Sequence, residues 1–213
     1  MSHRSCLIFL FFLALAANPH TLSAQKPRIQ VQVADYTDLK PQALREVVAL
    51  IQDILDSAGV SAKVKLCGGS HVASCESETG EIRRLLIRVL PWEPKKPGNP
   101  GRRPLGVSFA GHGGGTYATV FLEGVQDEAA AASVPRLIVL AYTVAHEVGH
   151  LLLGDEAHTA RGLMKPHWNR KDYEAMSQGH CHFSAEQMQQ LTTRFGPSAP
   201  EPVAIADAFT SPH

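Results

Sequence analysis

One long apolar segment, residues 133–154, constrains the fold of this chain more than any other feature. Its sequence, SVPRLIVLAYTVAHEVGHLLLG, has Pro135 near its start, no proline further on, and apolar side chains on nearly all sides. This pattern predicts a helix that ends at Gly154 and lies buried in the core. The segment carries two histidines and a glutamate, and ionisable groups are unfavourable in a core unless they bind a metal or one another.

The sequence HEVGH, residues 146–150, arranges those ionisable groups in a pattern that suits a metal ion. His146 and His150 are four residues apart, so on an α-helix both imidazoles project from one face and can bind a single ion. Glu147 is displaced around the helix, where it can reach a water on the metal without ligating the metal, the position of a general base. The alternative is a pair of core or surface histidines that bind nothing.

Two histidines do not complete a catalytic zinc site, which normally has three protein ligands and one open position. Gly154 can end the helix in a left-handed conformation and turn the chain back on itself. His158, four residues further on, is then the best candidate for the third ligand. Asp155 and Glu156 also carry suitable ligand atoms, but both lie closer to the turn.

These residues resemble the metzincin clan of zinc metallopeptidases, in which HExxHxxGxxH is followed by a methionine in a tight turn beneath the metal. Here HEVGHLLLGDEAH, residues 146–158, is followed by GLMKP, residues 162–166, which is similar to that turn. The resemblance implies a bound Zn2+ ion and the following roles: His146, His150 and His158 as ligands, Glu147 as the catalytic base, Gly154 as the turn glycine and Met164 as the turn methionine.

The spacing departs from that of the clan by one residue on each side of Gly154. Three residues separate it from His150 and three from His158, where the clan has two. One extra helical residue rotates the end of the helix by about 100° and advances it by about 1.5 Å, and the second insertion can restore the reach of the histidine. The chain therefore resembles a divergent branch, and His158 is the ligand that the altered spacing affects most.

Hydrophobic periodicity places further elements along the chain. Strands are predicted over residues 28–35, 60–66, 82–90, 106–110 and 116–123. A helix with one apolar face starts at Pro41, and a last helix, 184–195, opens with a capping box of Ser184 and Gln187. With the resemblance, this order implies an α+β fold over residues 28–196, with a mixed twisted sheet, a backing helix, an active-site helix and a small C-terminal lobe of one helix.

Both ends of the chain are predicted to lie outside this domain. Twelve apolar residues, 6–17, follow His3 and Arg4 and lead to Ala24, which is typical of a secretory signal peptide cleaved after that alanine; an uncleaved anchor is the alternative. We therefore expect a secreted or periplasmic protein with no stable membrane span after signal removal. Residues 197–213 contain prolines without periodicity and are predicted to be disordered.

Charge and cysteine content narrow the partners and the compartment. The 20 basic and 20 acidic side chains give a net charge of zero, so the composition favours neither nucleic acid nor an anionic membrane as a partner. In an oxidising compartment Cys67 with Cys75 is the expected disulfide, and Cys181 either stays free or replaces one of them. His180, Cys181 and His182 are candidates for a second metal site, although a loop entering a capped helix explains them equally well.

The sequence thus predicts a secreted zinc-dependent endopeptidase that acts on a peptide or protein substrate. Glu147 would take a proton from a water activated by zinc and pass it to the leaving amine. By analogy with the clan, strand 116–123 is expected to be the sheet edge along which the substrate pairs, and the segment around His167 and Trp168 to line a specificity pocket. One alternative is a secreted zinc-binding protein of this fold without catalysis, and another is a binding module with an accidental motif and no metal. Nothing in the sequence indicates an oligomeric state.

Overall fold

A computed structural model describes residues 28–69, 82–92 and 104–197 of the 213-residue chain. The described elements are β1 (Ile29–Asp35), α1 (Pro41–Ser57), β2 (Ala62–Gly69), β3 (Arg83–Leu90), β4 (Gly106–Gly111), β5 (Gly114–Phe121), α2 (Leu122–Ala132), α3 (Arg136–Leu153), α4 (Arg170–Ser177) and α5 (Ala185–Phe195). The predicted signal peptide, 1–24, and all but the first residue of the predicted tail lie outside the described residues.

The five strands form one mixed sheet in the order β2, β1, β3, β5, β4. Strands β2, β1, β3 and β5 run parallel to one another, whereas β4 pairs antiparallel with β5. Parallel neighbours need a crossover connection, and α1 supplies it between β1 and β2. The predicted α+β class with a mixed sheet and a backing helix is therefore confirmed.

Alternating side chains of the strands build the core on one face of the sheet, because successive residues of a strand point to opposite faces. The buried residues of the two central strands are Ile29, Val31, Val33, Leu85, Ile87 and Val89. On the helical side, α1 packs against β2 and α3, and α3 packs against β5. The buried stripe of α1 consists of Leu44, Val47, Ile51, Ile54 and Leu55. The core thus lies between the sheet and these two helices.

The helix α3 runs through the centre of the fold, as its apolar sequence predicts. Its residues from Val139 to Leu152 are all buried. By length and composition alone this 18-residue helix could cross a membrane. However, 78% of it is buried inside the protein, so packing in the core accounts for its apolar composition. Two arginines distant in sequence, Arg83 and Arg194, donate hydrogen bonds to the last-turn carbonyls of Leu151 and Leu152 at 2.9 and 3.0 Å.

Two helices that the sequence analysis missed complete the fold. The predicted strand 116–123 ends at Phe121, and its last two residues begin α2. The C-terminal part contains α4 as well as α5, so the expected single helix is one of two. α4 has only two buried side chains, Tyr173 and Met176, which is too few to give a clear apolar period. α5 begins as predicted, with a capping box of Ser184 and Gln187.

The edge strand also differs from the prediction. β5, which covers most of the predicted strand 116–123, is paired on both sides, with β3 and with β4. The free edge of the described sheet on this side is therefore β4, Gly106–Gly111. The hairpin connecting the two strands places the earlier one outermost, an outcome that the order of strands along the sequence does not determine.

The cysteines have different states. Cys67 is disulfide-bonded, whereas Cys181 is a buried free thiol, the first of the two alternatives for it. Cys75, the predicted partner of Cys67, lies outside the described residues.

Candidate metal centre

The helix α3 presents His146, Glu147 and His150 to a cleft that is also lined by β4. The three residues are 9%, 5% and 6% exposed, so almost all of each side chain is shielded from solvent. The two imidazoles are one helical turn apart and meet edge to face, with ring centroids separated by 4.9 Å. The helix therefore places both predicted ligands on one face, as their spacing requires.

Gly154 turns the chain out of α3. Its φ of +106° and ψ of 175° lie in a region that essentially only glycine populates, rather than in the left-handed helical region that the sequence analysis expected. The carbonyl oxygen of His112, between β4 and β5, lies 2.9 Å from the position that a Cβ of residue 154 would take. Glycine is therefore required both by the turn and by the close approach of the hairpin.

The loop after Gly154 brings His158 to the two helix histidines. The Nε2 atom of His150 lies 3.2 Å from Nε2 of His146 and 3.1 Å from Nε2 of His158. The ligand atoms of all three lie within 4.8 Å of one another. The altered spacing around Gly154 is thus compatible with a compact triangle of three nitrogen atoms.

Two hydrogen bonds hold this loop, one from α5 and one within the segment Gly154–Met164. The side-chain amide of Gln187, on α5, donates to the carbonyl oxygen of Ala157 at 2.7 Å. The backbone N–H of Thr159 donates to the carbonyl oxygen of Met164 at 2.9 Å.

The competing ligand candidate Asp155 is exposed and contacts His112 at 3.4 Å, and Glu156 is exposed as well. Neither carboxylate belongs to the triangle of ligand atoms.

Backbone carbonyls determine which ring nitrogen faces the centre. Nδ1 of His146 lies 2.8 Å from the carbonyl oxygen of Leu163, and Nδ1 of His150 lies 3.2 Å from that of Gly154. A carbonyl oxygen only accepts, so each Nδ1 carries a proton and donates, and Nε2 of the neutral ring bears a lone pair. Two lone pairs that face each other at 3.2 Å cannot hydrogen-bond to each other. A cation between them removes the conflict.

Two sides of the triangle, those that meet at His150, have the length expected in a zinc site. Nitrogen atoms about 2.0–2.1 Å from a tetrahedral zinc ion lie roughly 3.3 Å apart. The separations of 3.1 and 3.2 Å observed here are close to that value. Zinc-binding histidines usually donate their other N–H to a carbonyl or carboxylate, as His146 and His150 do. The residues present therefore fit a zinc ion with three protein ligands and an open position.

Burial favours the neutral, metal-binding form of the imidazoles. It lowers the pKa of His146 to about 4, although the hydrogen bond to Leu163 acts in the opposite direction. The pKa values of His150 and His158 also lie below the ordinary value, in both cases chiefly because of burial. Metal binding requires deprotonated ligands, so these histidines are in the competent state near neutral pH.

Met164, the predicted turn methionine, packs directly against α3 between the two histidines. It is completely buried, and a Cβ at Gly149 would lie 2.4 Å from its sulfur atom. The glycine inside HEVGH therefore allows the turn to approach the helix closely. Gly162, with a φ of +78°, opens this turn, and the next residue, Leu163, supplies the carbonyl that orients His146.

Glu147 lies in the same cleft and packs against β4. Its carboxylate adjoins Gly106 and shares a hydrogen bond with the side chain of Ser108. Burial raises the pKa of Glu147 to about 7 in the metal-free protein, while the bond from Ser108 opposes that shift. The carboxylate is thus confined beside the histidines by the edge strand.

The cleft itself has a volume of about 380 Å³. β4 lines one side through Gly106, Val107 and Ser108, and the segment after the turn methionine, Lys165–Trp168, also lines it. Thr143 and Tyr173 contribute as well. The structure therefore places His167 and Trp168 next to the candidate metal centre, where the sequence analysis expected them.

The roles of several supporting residues in the site were not predicted from the sequence. Ser108 contacts Glu147, Gln187 holds the loop of His158, and the Leu163 carbonyl orients His146. No sequence motif predicts these three contacts, because each joins two residues that are distant in sequence. Asn169, which caps α4 in a capping box with Asp172, was the one local signal that could have been found.

The suggested second metal site does not form. Within residues 28–69, 82–92 and 104–197, His146, His150 and His158 are the one group of three or more suitable side chains that could hold a metal. Cys181 is buried, whereas His180 and His182 on either side of it are exposed. This segment is accordingly the loop that enters α5.

The sequence matches no protein-family model and no curated protein. Among solved structures, archaemetzincin from Methanopyrus kandleri superposes with a TM-score of 0.52 at 14% identity, over 80% of this chain and 97% of that one. Metalloproteinase-II from Bacteroides fragilis matches with a TM-score of 0.47 at 14% identity, over 82% of this chain and 55% of that one. The first likeness shows that the chain has an archaemetzincin-like fold, in agreement with the resemblance found in the sequence.

Proposed function

We propose that the protein is a zinc-dependent endopeptidase that hydrolyses bonds in peptide or protein substrates. The proposal depends above all on one observation, the convergence of three histidine Nε2 atoms beside the buried Glu147 in an open cleft. A site that only stores metal has no need of a buried carboxylate next to the ligands. The archaemetzincin-like fold supports the same conclusion.

In this proposal each side chain has a defined task. His146, His150 and His158 hold the metal through Nε2, and zinc, when bound, supplies a Lewis acid that activates water and polarises a carbonyl. Glu147 accepts the proton of the attacking water and delivers it to the leaving nitrogen, so that the C–N bond breaks into a carboxylate and an amine. Ser108 keeps the carboxylate of Glu147 in place.

The free edge of β4 is the proposed path of the substrate. An extended peptide can add to an exposed strand through main-chain hydrogen bonds, with its alternate side chains directed to the two faces of the sheet. β4 lies at the edge of the described sheet and lines the cleft that contains Glu147. A peptide paired with β4 would therefore pass next to the histidine triangle.

We also propose that the protein acts outside the cytoplasm. The apolar run 6–17 with Ala24 after it supports a cleaved signal peptide. The disulfide at Cys67 adds independent support, because disulfides persist mainly in oxidising compartments. Mass spectrometry of the protein recovered from secreting cells would check the cleavage: a mature N-terminus at residue 25 is expected.

The catalytic proposal is tested by measuring zinc content and peptide cleavage together. The variants are Glu147→Gln, which keeps the shape of the side chain but removes the base, and His158→Ala, which removes a ligand. Glu156→Gln is the matched control because Glu156 is exposed and lies outside the ligand group. We expect one zinc per wild-type chain, cleavage lost in both site variants, and zinc retained in Glu147→Gln.

Two results would contradict the proposal. Stoichiometric zinc without cleavage of any peptide in a diverse library would indicate the non-catalytic zinc protein instead. Cleavage by Glu147→Gln at the wild-type rate would show that this carboxylate is not the base.

A further inference from the structure

Trp168 lies beside the candidate metal centre and lines the same cleft. Its indole ring is 6% exposed and meets the imidazole of His146 edge to face, with ring centroids 5.3 Å apart at an interplanar angle of 86°. An aromatic wall in this position restricts rotation of the imidazole about its side-chain bonds. Trp168 thus contacts the ligand His146 directly.

A second contact joins Trp168 to His146 through a shared acceptor. The carbonyl oxygen of Leu163 accepts from Nδ1 of His146 at 2.8 Å and from Nε1 of Trp168 at 3.2 Å. A carbonyl oxygen has two lone pairs, so both bonds can form together. The indole N–H therefore helps to hold the carbonyl that sets the tautomer and orientation of His146.

Trp168 is itself held by contacts that reach to α2. Its ring meets that of Tyr173 on α4 at 6.0 Å and 79°, and the Tyr173 hydroxyl donates to Glu128 on α2 at 3.0 Å. The residue after Trp168, Asn169, caps α4 in a capping box. The indole is therefore held by Tyr173 as well as by its contacts with His146 and Leu163.

We infer that Trp168 is a positioning residue for the metal ligand His146, acting through ring contact and through the shared carbonyl of Leu163. The inference depends on the proposed function, because it assumes that His146 binds zinc. Partners that orient a ligand typically contribute about 10–100-fold to metal affinity. Trp168 is not itself a ligand, and the zinc-binding motif in the sequence does not indicate that it supports one.

The test measures zinc affinity by competition with a chromophoric chelator, using the full mature chain. Trp168→Ala removes both contacts, and we expect it to weaken zinc binding by about 10–100-fold. Trp168→Phe keeps an aromatic ring but removes the N–H, and it should weaken binding by a smaller factor. Leu55→Ala is the control, since Leu55 is fully buried on α1 outside the cleft and its loss lowers stability without touching the ligands.

The outcomes separate this inference from the proposed function. Graded loss of zinc affinity in the two Trp168 variants, with wild-type affinity in Leu55→Ala, supports it. If both Trp168 variants bind zinc as the wild type does, or if Leu55→Ala loses as much, Trp168 is only a structural residue and the inference is overturned. If the wild type binds no stoichiometric zinc, the metal centre itself is wrong.

Discussion

The candidate metal centre has two sides that the chain builds in different ways. The helix side consists of His146, Glu147 and His150 on α3, all buried. The loop side consists of the segment Gly154–Met164 with His158, whose side chain is exposed. On the helix side the spacing of residues along one helix sets the geometry, whereas on the loop side Gln187 and the β4–β5 hairpin set it from outside. A ligand pair on a helix is therefore robust, and a ligand on a loop depends on remote contacts.

Removing ligands gives the largest expected effect and tests the comparison directly. Loss of a residue that only orients a ligand weakens metal binding by up to about 100-fold. His150→Ala and His158→Ala should each weaken zinc binding by more than this, because a ligand itself is lost. His150→Ala should be the more damaging, since His150 is buried on α3 and its ring is oriented by the Gly154 carbonyl, whereas His158 is exposed on a loop. Chelator competition measures both, with His180→Ala as the control, because His180 is exposed and lies outside the ligand group. Wild-type affinity in His158→Ala would remove the loop side from the centre.

Distorting the turn should have the next largest effect. Gly154→Ala forces an alanine into a φ of +106° and against the His112 carbonyl, so we expect a loss of about 1–3 kcal/mol in unfolding free energy and weaker zinc binding. Urea denaturation of the metal-free protein measures the first effect and chelator competition the second. Gly113→Ala is the control, because a Cβ there meets nothing within 4 Å. Equal behaviour of the two variants would show that the turn does not depend on glycine.

Releasing the loop from α5 should have a smaller effect. Gln187→Ala removes the hydrogen bond to the Ala157 carbonyl and part of the α5 capping box, and should lower the unfolding free energy by about 1 kcal/mol and zinc affinity a few-fold. Ser184→Ala weakens the same cap but leaves the bond to Ala157 intact. Zinc affinity should therefore fall in the first variant and not in the second. A similar fall in both would assign the effect to the helix cap.

The smallest expected effect is a dependence of stability on pH, which we assign to Cys181 in the segment that follows the loop side. Burial is the main cause that raises the pKa of the Cys181 thiol to about 12, so the folded protein keeps a proton that the unfolded chain releases above the ordinary value of 9. The protonated thiol therefore contributes its full stability below pH 9, and this contribution is lost as the pH rises towards 12. The unfolding free energy should fall by somewhat less than about 1 kcal/mol at pH 9.5. Urea denaturation at pH 8 and 9.5 measures it. The same pH dependence in Cys181→Ala would exclude the thiol as its source.

Much of the fold could be predicted because its signals are local. The buried helix α3, the stripe of α1 and the capping box of α5 each follow from residues within a few positions of one another. α2 escaped prediction because its buried stripe ends in two alanines, Ala129 and Ala132, within an alanine-rich run that shows no clear apolar period, and α4 because only Tyr173 and Met176 are buried. The edge strand was misplaced because the order of strands in space depends on hydrogen bonds between distant segments.

The sequence by itself determined that His146, Glu147 and His150 share one buried helix, since helical geometry is dictated by covalent structure and by the burial of apolar side chains. It also identified His158 as a candidate beyond the turn glycine. Only the tertiary structure decided that His158, rather than Asp155 or Glu156, reaches the other two histidines. The physical reason is that a loop has no repeating hydrogen-bond pattern of its own, so contacts from Gln187, His112 and Met164 position it.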